Sequence, residues 1–386
     1  MKKKIFIGLL AALMVLSGCG ANVDNSDGSD TAAYHITDLG ICVGADTSLP
    51  INARNPWDLL VEDGKLYVGT GDYDANTGPT TIWAYDEITQ QWVSSGTLRQ
   101  EAIARFVRLN GQAVALGVDP VGDSGSADSY VLKDGIWQKS VGIEGALHVF
   151  DAEEYDGAVY FGLGSGDDET VVVKQDSKTG TFTTVPLYKG GADMMAALKQ
   201  NPNIISRRVY DLIAVENRLY CVFSCGYASG KGTMEFFELV GDKFVFRQAF
   251  ANTDLEINKT VKNQVLFNSD AVCGGSCYFS LGNLYRTEDF VRFEKIDFPD
   301  DACVTDLWTE IVNGQETLYV LTAVARGEGY KNAIYELAGN HLVEVFAFDH
   351  STSALSFAKA GDVFYVGLGG AELDKADTGR ILKISK

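Results

Sequence analysis

The chain has 386 residues, in which 52 acidic side chains outnumber 32 basic ones, so its formal net charge is -20 at pH 7. A surface this acidic repels a phosphate backbone, and we therefore expect no nucleic-acid partner. Hydrophobic residues make up 46% of the chain, which is ordinary for a globular protein.

The N-terminus has the order of a secretory signal. Three lysines precede an apolar run from residue 5 to residue 16, which is too short to span a bilayer comfortably as a helix. The run closes with the letters LSGC at positions 16–19, and this ending resembles the bacterial lipobox. The resemblance implies that residues 1–18 are a lipoprotein signal peptide and that Cys19 is acylated. An ordinary signal peptide with a stray cysteine is the alternative.

Residues 19–33 come next, and from Asp24 to Ala33 they include no large apolar residue. A segment rich in Ser, Asp, Asn and Gly cannot bury a core, so we predict a flexible acidic tether. The protein is then expected to be exported and anchored to the membrane or envelope through a lipid on Cys19, facing outside the cytoplasm. We expect residues 34–386 to form a single domain and the protein to be a monomer.

Seven short apolar-aromatic segments recur along this domain. They are KLYVGTG (65–71), QAVALGV (112–118), AVYFGLG (158–164), RLYCVFS (218–224), SCYFSLG (276–282), TLYVLTA (317–323) and VFYVGLG (363–369). Tyrosine holds the third place in six of them, and successive third places are about 41 to 60 residues apart. Such spacing predicts a repeat architecture, and four strands per unit are typical of a propeller blade. Pairs such as Asp63-Gly64 and Asn110-Gly111 precede most copies and predict two-residue hairpins.

The two ends of the domain complement each other. The last unit stops after its third predicted strand, GRILKISK, whereas YHITDLGICV (Tyr34–Val43) precedes the first unit without a partner. An unpaired strand edge is a liability, so we predict that the N-terminal strand completes the last sheet. The expected fold is all-β: a seven-bladed β-propeller with four antiparallel strands per blade, closed by the N-terminal strand.

The repeats resemble the kelch-like and Asp-box propellers of secreted bacterial proteins. The segment YRTEDFVRFEKI (285–296) is similar to an Asp-box, with Thr287, Asp289 and Phe293 in place and the usual glycine absent. The resemblance covers nearly the whole mature chain and implies a propeller of a secreted bacterial lipoprotein.

The loop after the first repeat, GDYDANTGP, places Asp72, Asp74 and Asn76 at alternate positions. Side-chain oxygens at positions 1, 3 and 5 are typical of calcium loops. The glycine comes one place late, at Gly78, and Trp83 stands where a bidentate glutamate would close the shell. A Ca²⁺ site at these three residues is one hypothesis, and a turn in which Asp and Asn bond their own backbone is the alternative.

Loops that join the second to the third strand, or one blade to the next, share one face of a propeller, and rigid scaffolds often carry function on such loops. Neighbouring blades supply acidic loops, with Asp119 among their residues, while a short helical insert is predicted from Asp193 to Gln200. Basic residues lie at the end of that insert, after it or in the next long loop: Lys199, Arg207, Arg208, Lys259 and Lys262. The candidate ligand contacts are Arg54, Trp57, Tyr73, His148, Arg207 and Arg208. Ordinary solvation of an acidic protein, and packing roles for Trp57 and Tyr73, are the alternatives.

Four predicted innermost strands carry an aspartate near the expected pore: Asp58, Asp151, Asp211 and Asp306. Buried carboxylates need partners, so bonds between blades are one reading and catalysis is the other. The sequence contains no HExxH or GxSxG motif, and we predict no catalytic residue.

These features predict a surface-anchored, non-enzymatic propeller that binds an extracellular glycan or protein through its loop face. A glycoside hydrolase or lyase that uses pore-lining carboxylates is the alternative. A scaffold within an envelope assembly is a third hypothesis.

Overall fold

A computed structural model describes residues 34–42, 49–122, 126–165, 170–229, 232–256, 269–299, 302–339, 341–370 and 376–386. The signal segment, Cys19 and the tether lie outside these residues, as do Lys259 and Lys262. β-Strands make up 66% of the described chain, which also has one short α-helix and two 3-10 turns at Ile51–Arg54 and Phe250–Asn252. Within these ranges no helix has the length and apolarity needed to cross a membrane.

Most strands belong to units of four consecutive antiparallel strands. Unit 1 comprises β2 (Asp58–Glu62), β3 (Lys65–Gly69), β4 (Thr80–Asp86) and β5 (Gln91–Leu98). Unit 2 comprises β6 (Gln100–Leu109), β7 (Gln112–Pro120), β8 (Asp128–Lys133) and β9 (Ile136–Gly142). Unit 3 comprises β10 (Ala146–Tyr155), β11 (Ala158–Ser165), β12 (Val172–Asp176) and β13 (Phe182–Thr184). Unit 4 comprises β16 (Ile204–Val215), β17 (Arg218–Tyr227), β18 (Gly232–Val240) and β19 (Lys243–Ala249).

The remaining units repeat this arrangement. Unit 5 comprises β20 (Asp270–Cys273), β21 (Ser276–Ser280), β22 (Leu284–Thr287) and β23 (Glu294–Ile296). Unit 6 comprises β24 (Cys303–Val312), β25 (Gln315–Arg326), β26 (Gly329–Ala338) and β27 (His341–His350). Unit 7 comprises β28 (Ala354–Ala360), β29 (Val363–Leu368), β30 (Arg380–Ser385) and, at its edge, β1 (His35–Ile41). The seven predicted repeat segments are the second strands of these units, and their six tyrosines are buried.

The N-terminal strand pairs with the C-terminal strand. β1 runs antiparallel to β30, with His35 opposite Ser385 and Ile41 opposite Arg380. The predicted pairing of this segment with the last three-stranded sheet is confirmed, although Val43 lies outside the described residues. The unpaired edge that the sequence exposes is therefore covered within the same chain.

Units 2, 3 and 4 are joined into one 14-stranded sheet. Val118 pairs with His148 between units 2 and 3, and Gly164 pairs with Arg208 between units 3 and 4. Two short strands, β14 (Leu187–Lys189) and β15 (Ala192–Asp193), extend the edge beyond β19. The predicted helical insert follows them as α1 (Met194–Lys199), in which Asp193 caps the first amides.

Each unit buries apolar side chains against the next one. The core between units 1 and 2, for example, includes Tyr67 and Trp137, and units 3 and 4 share a core that includes Val172 and Phe237. A further core joins Leu66 of unit 1 to Tyr365 of unit 7. The first strands β2, β6, β10, β16, β20, β24 and β28 contact one another in this order, and β28 also contacts β2.

The first strands start earlier than the sequence suggests. The sequence places Arg54, Arg105 and Arg207 just ahead of the first strands of units 1, 2 and 4. Arg54 does precede β2, whereas Arg105 lies inside β6 and Arg207 lies inside β16 together with Arg208. The pairing of these strands is interrupted by bulges, for instance between Ile103 and Arg105 and between Val209 and Asp211. A bulge inserts one extra residue and re-aims the side chains beside it, so the bulges decide where these residues point.

Candidate functional site

Units 3 and 4 carry the same four-residue pattern on their first strands. The letters are HVFD at 148–151 on β10 and RVYD at 208–211 on β16. Side chains alternate along a strand, and Val149 and Val209 are buried in the apolar cores. The histidine and the arginine are therefore turned to the other side, and the two aromatic rings contact them there.

Three ring contacts link these residues to the loop of unit 1. The centroid of Tyr73 lies 5.4 Å from that of His148, and His148 stacks on Phe150 at 4.9 Å. Phe150 contacts Tyr210 at 4.8 Å. We call Tyr73, His148, Phe150, Arg208 and Tyr210 the Arg208 cluster. Its members come from units 1, 3 and 4, so the fold and not the local sequence brings them together.

The guanidinium of Arg208 is held by neutral groups. Its central carbon lies 5.6 Å from the centre of the Phe150 ring, a cation–π contact. Its Nη1 donates a hydrogen bond of 3.3 Å to the Tyr210 hydroxyl, and the Tyr73 hydroxyl is a further hydrogen-bond partner. Among the described residues, no carboxylate forms an ion pair with Arg208. Burial raises the pKa of Tyr73, so this phenol stays neutral near pH 7.

His148 is fixed from two sides. Its Nε2 lies 3.2 Å from Oδ1 of Asp119, at the end of β7. On its other side is Gly164, where a Cβ would lie 2.6 Å from His148 Nδ1 and 3.0 Å from the Phe150 ring. Only glycine leaves room for this stack, because contacts below 3.0 Å force a neighbour to move. The Asp119 side chain keeps 27% of its exposure, so it can still accept a hydrogen bond from a ligand.

The loop that carries Tyr73 is stabilised by its own hydrogen bonds. Oδ1 of Asp72 accepts the backbone N–H groups of Asp74 and Ala75, at 3.0 and 3.2 Å. The Asp72 N–H donates to the Thr77 hydroxyl at 2.9 Å. Asp72 is buried, whereas Asp74 and Asn76 are exposed. These bonds are those of a turn in which Asp72 bonds its own backbone. A Ca²⁺ site at Asp72, Asp74 and Asn76 stays a prediction.

The other three sequence candidates lie apart from the ring contacts. Nη2 of Arg207 donates to the Leu198 carbonyl near the end of α1 at 3.0 Å, which anchors the helix to β16. Nε1 of Trp57 donates to the Gly71 carbonyl at 2.7 Å, so Trp57 supports the base of the Tyr73 loop. Arg54 ends the first 3-10 turn, and its Nε is buried without a hydrogen-bond partner in the described part of the chain.

A second arginine, Arg105 on β6, lies among carboxylates. Its Nη1 is 3.0 Å from Asp151 Oδ1 and 2.6 Å from Asp211 Oδ1, and its Nη2 is 2.9 Å from Asp270 Oδ1. We call these four residues the Arg105 cluster. Burial raises the pKa of Asp151 to about 6 and that of Asp211 well above its usual range. Burial, reinforced by Asp151 and Asp270, also raises the pKa of Glu153 to about 8.

Three of the four predicted pore aspartates bridge neighbouring units through backbone amides. Asp58 Oδ2 accepts the Phe106 N–H at 2.6 Å. Asp151 Oδ2 accepts the Leu212 N–H at 2.7 Å, and Asp306 Oδ2 accepts the Phe357 N–H at 2.8 Å. Burial raises the pKa of Asp58 to about 6 and that of Asp306 to about 7. The hydrogen bonds have the form expected for structural links between units.

The structure thus gathers three of the six sequence candidates, namely Tyr73, His148 and Arg208. Phe150 and Tyr210 were not among the sequence candidates. The signal was present in the HVFD and RVYD patterns, and NPWD at 55–58 repeats the aromatic-aspartate pair. Aligning the first strands by their aspartates would have found both rings.

Comparison with known proteins supports the fold only. No protein-family model matches the sequence, and no curated protein matches it. A WD40-type propeller chain from the crystal structure of a mitotic checkpoint complex is similar, with a TM-score of 0.54 and 9% identity. The match covers 100% of this chain and 99% of that chain. The chain therefore has a β-propeller-like fold built from four-stranded antiparallel sheets.

Proposed function

We propose that the protein is an exported lipoprotein whose propeller binds a glycan or protein ligand on its loop face without catalysing a reaction. The observation that carries this proposal is the Arg208 cluster, in which side chains from three units meet beside Asp119 of a fourth. Binding sites are built where loops and strand ends of a rigid scaffold converge.

The scaffold in this proposal is a closed ring of seven blades. Support comes from the first strands, which contact one another in chain order, with β28 returning to β2. The Ser356 hydroxyl of unit 7 also donates to the Pro56 carbonyl, just ahead of β2, at 2.6 Å. A crystal structure of the full chain tests the count, and a sheet number other than seven would overturn it.

Anchoring rests on the N-terminal sequence. The LSGC ending at Cys19 supports lipidation, and residues 24–33 support a tether that lets the propeller stand away from the membrane. Labelling of the expressed protein with a fatty-acid analogue tests this step. A Cys19→Ser variant that still takes up label would refute it.

Binding is favoured over hydrolysis because the central carboxylates are engaged. Asp58, Asp151 and Asp306 accept backbone amides of the next unit. A hydrolase needs two carboxyl groups that are free to reach a glycosidic bond. Glu153, with its raised pKa, is the residue that the hydrolase alternative would use as an acid.

A glycan and protein array probed with the purified full chain, with and without calcium, tests the proposal. We expect retention of an intact ligand, and a clear loss of signal for a Tyr73→Ala variant. Release of shortened sugars, abolished by Glu153→Gln, would favour the hydrolase instead. No binding to any glycan or envelope protein would refute the binding function.

A further inference from the structure

Arg208 differs from most arginines of the chain. Among the described residues, seven arginines lie within ion-pair distance of a carboxylate: Arg105, Arg108, Arg218, Arg247, Arg286, Arg292 and Arg380. Arg208 is partly buried and has neutral partners instead. In a chain with 20 more acidic than basic residues, a partly buried arginine without an acidic partner points to an anion that comes from outside.

The cluster also holds Arg208 in place before a ligand arrives. The guanidinium carbon lies 5.6 Å from the centre of the Phe150 ring, and Phe150 is itself stacked on His148. A guanidinium carries five N–H groups, and the hydroxyls of Tyr73 and Tyr210 engage only part of them. The remaining N–H groups form a planar fork that matches a carboxylate, and pre-positioning lowers the entropy cost of binding.

The groups around the fork indicate what else the ligand carries. Tyr73 and Tyr210 offer hydroxyls, and Asp119 offers a partly exposed carboxylate oxygen, which needs a donor. A sugar ring with hydroxyls and a single carboxylate supplies both requirements. A peptide rich in acidic residues would meet the field of a chain with net charge -20 and the charge of Asp119.

We propose that the Arg208 cluster binds the carboxylate of an acidic saccharide, with the sugar hydroxyls on Tyr73, Tyr210 and Asp119. This rests on the proposed binding function and names its ligand class. Arg208 forms the charged contact, Phe150 and His148 orient it, and Asp119 discriminates against further negative charge.

Calorimetric titration of the full chain in detergent tests this with three probes. The first is a disaccharide that ends in glucuronic acid, the second is its methyl ester, and the third is a tetrapeptide with one glutamate. We expect the ester to bind at least about tenfold more weakly than the acid. Arg208→Ala should weaken binding of the acid by about 10- to 100-fold and leave the ester within about twofold, because it removes only the charged contact.

Two further variants control the experiment. Arg292→Ala removes the same charge from a side chain that is 90% exposed, and it should not change the affinity for the acid. Arg208→Lys keeps the charge but loses the planar fork, so it should retain only part of the affinity. Thermal unfolding of each variant establishes that the propeller is intact.

The inference is overturned if the acid and its ester bind equally, if Arg208→Ala preserves the preference, or if the peptide binds more tightly. Failure of the acid to bind at millimolar concentration also overturns it. If neutral glycans or proteins still bind on the array, the proposed function stands and only the acidic ligand class is wrong.

Discussion

On strands β10 and β16, the residues that contact Arg105 directly follow those that contact Arg208. The two guanidinium groups nevertheless have opposite surroundings. Arg105 is within 3.0 Å of Asp151, Asp211 and Asp270. Arg208 instead contacts Phe150 and Tyr210, each of which directly precedes one of those aspartates. One step along β10 and β16 therefore replaces two carboxylates, which contact Arg105, by two aromatic rings, which contact Arg208, and β20 supplies the third carboxylate beside Arg105.

The different surroundings of the two arginines indicate different roles, one in stability and one in binding. A buried charge is tolerated when opposite charges and hydrogen bonds compensate it, and Arg105 has its compensation inside the fold. Arg208 is partly buried and donates hydrogen bonds to tyrosine hydroxyls, but it has no opposite charge beside it among the described residues. We infer that the first arginine holds units 2, 3, 4 and 5 together, whereas the second is kept for a ligand.

The largest expected effect follows from removing Arg105. Arg105→Met leaves the carboxylates of Asp151 and Asp211 buried without their cation, and breaking a buried pair in this way typically costs about 3–5 kcal/mol. Urea unfolding at pH 7 measures the loss, and we expect the midpoint to fall sharply or the protein not to fold.

Arg208→Met is the matched control for this prediction. It removes an arginine that has no acidic partner among the described residues, so the free energy of unfolding should change by about 1 kcal/mol or less. Equal destabilisation by the two variants would abolish the distinction between the clusters.

The second prediction concerns the pH dependence of the free energy of unfolding, through a glutamate beside the Arg105 cluster. Burial, reinforced by the charges of Asp151 and Asp270, raises the pKa of Glu153 from its usual 4.5 to about 8 in the folded protein. The folded state therefore binds this proton more tightly, and stability should fall as pH rises from 4.5 to 8. Glu153→Gln should remove a slope of about 1 kcal/mol per pH unit in this window.

Urea unfolding at pH 5, 6, 7 and 8 provides the measurement. The neighbouring Glu154 is exposed, so Glu154→Gln serves as the control and should keep the slope of the parent protein. A Glu153→Gln variant with an unchanged slope would show that Glu153 ionises normally in the fold.

Much of the fold could be predicted from the sequence, because the repeat is carried by short-range signals. Turn pairs such as Asp63-Gly64 adopt positive φ at both residues, and the repeated tyrosines are buried as one position of each unit. The pairing of the segment before unit 1 could also be predicted, because β30 would otherwise have an unpaired edge.

The site was only partly predictable, for a physical reason. Arg105, Arg207 and Arg208 look alike in sequence, each close to the start of an inner strand. Their partners depend on bulges in β6 and β16, and a shift of one residue exchanges the two faces of a strand. Tyr73 could be proposed from the sequence because it lies in a polar loop. Phe150 and Tyr210 lie on strands, where an aromatic residue is expected to belong to the core.

The third prediction concerns a substitution that distorts the Arg208 cluster and leaves the Arg105 cluster unchanged. Gly164→Ala introduces a Cβ 2.6 Å from His148 and 3.0 Å from Phe150, so the stack that supports Arg208 must shift. Overpacking of this kind costs about 1–3 kcal/mol, and affinity for the acidic saccharide should fall while the pH slope of stability remains.

Gly232→Ala is the control for this substitution. Its Cβ would meet only the Cys225 carbonyl oxygen at 3.6 Å, an ordinary contact, so both stability and affinity should stay near those of the parent. If Gly164→Ala also left the affinity unchanged, the His148–Phe150 stack would not orient Arg208.

The smallest effect is expected at the loop that presents Tyr73. Asp72→Ala removes the acceptor of the Asp74 and Ala75 N–H groups, and loss of such bonds costs about 1 kcal/mol. The loop should loosen, so affinity should fall a few-fold through Tyr73 while Arg208 keeps its place on Phe150. Asp74→Ala, at an exposed side chain, should change neither property.

Each measurement is made with added calcium and with chelator, and the self-bonded turn predicts the same values in both. If calcium instead raised the melting temperature of the parent but not of Asp72→Ala, the loop would be a metal site, and the Tyr73 side of the Arg208 cluster would depend on an ion as well as on hydrogen bonds.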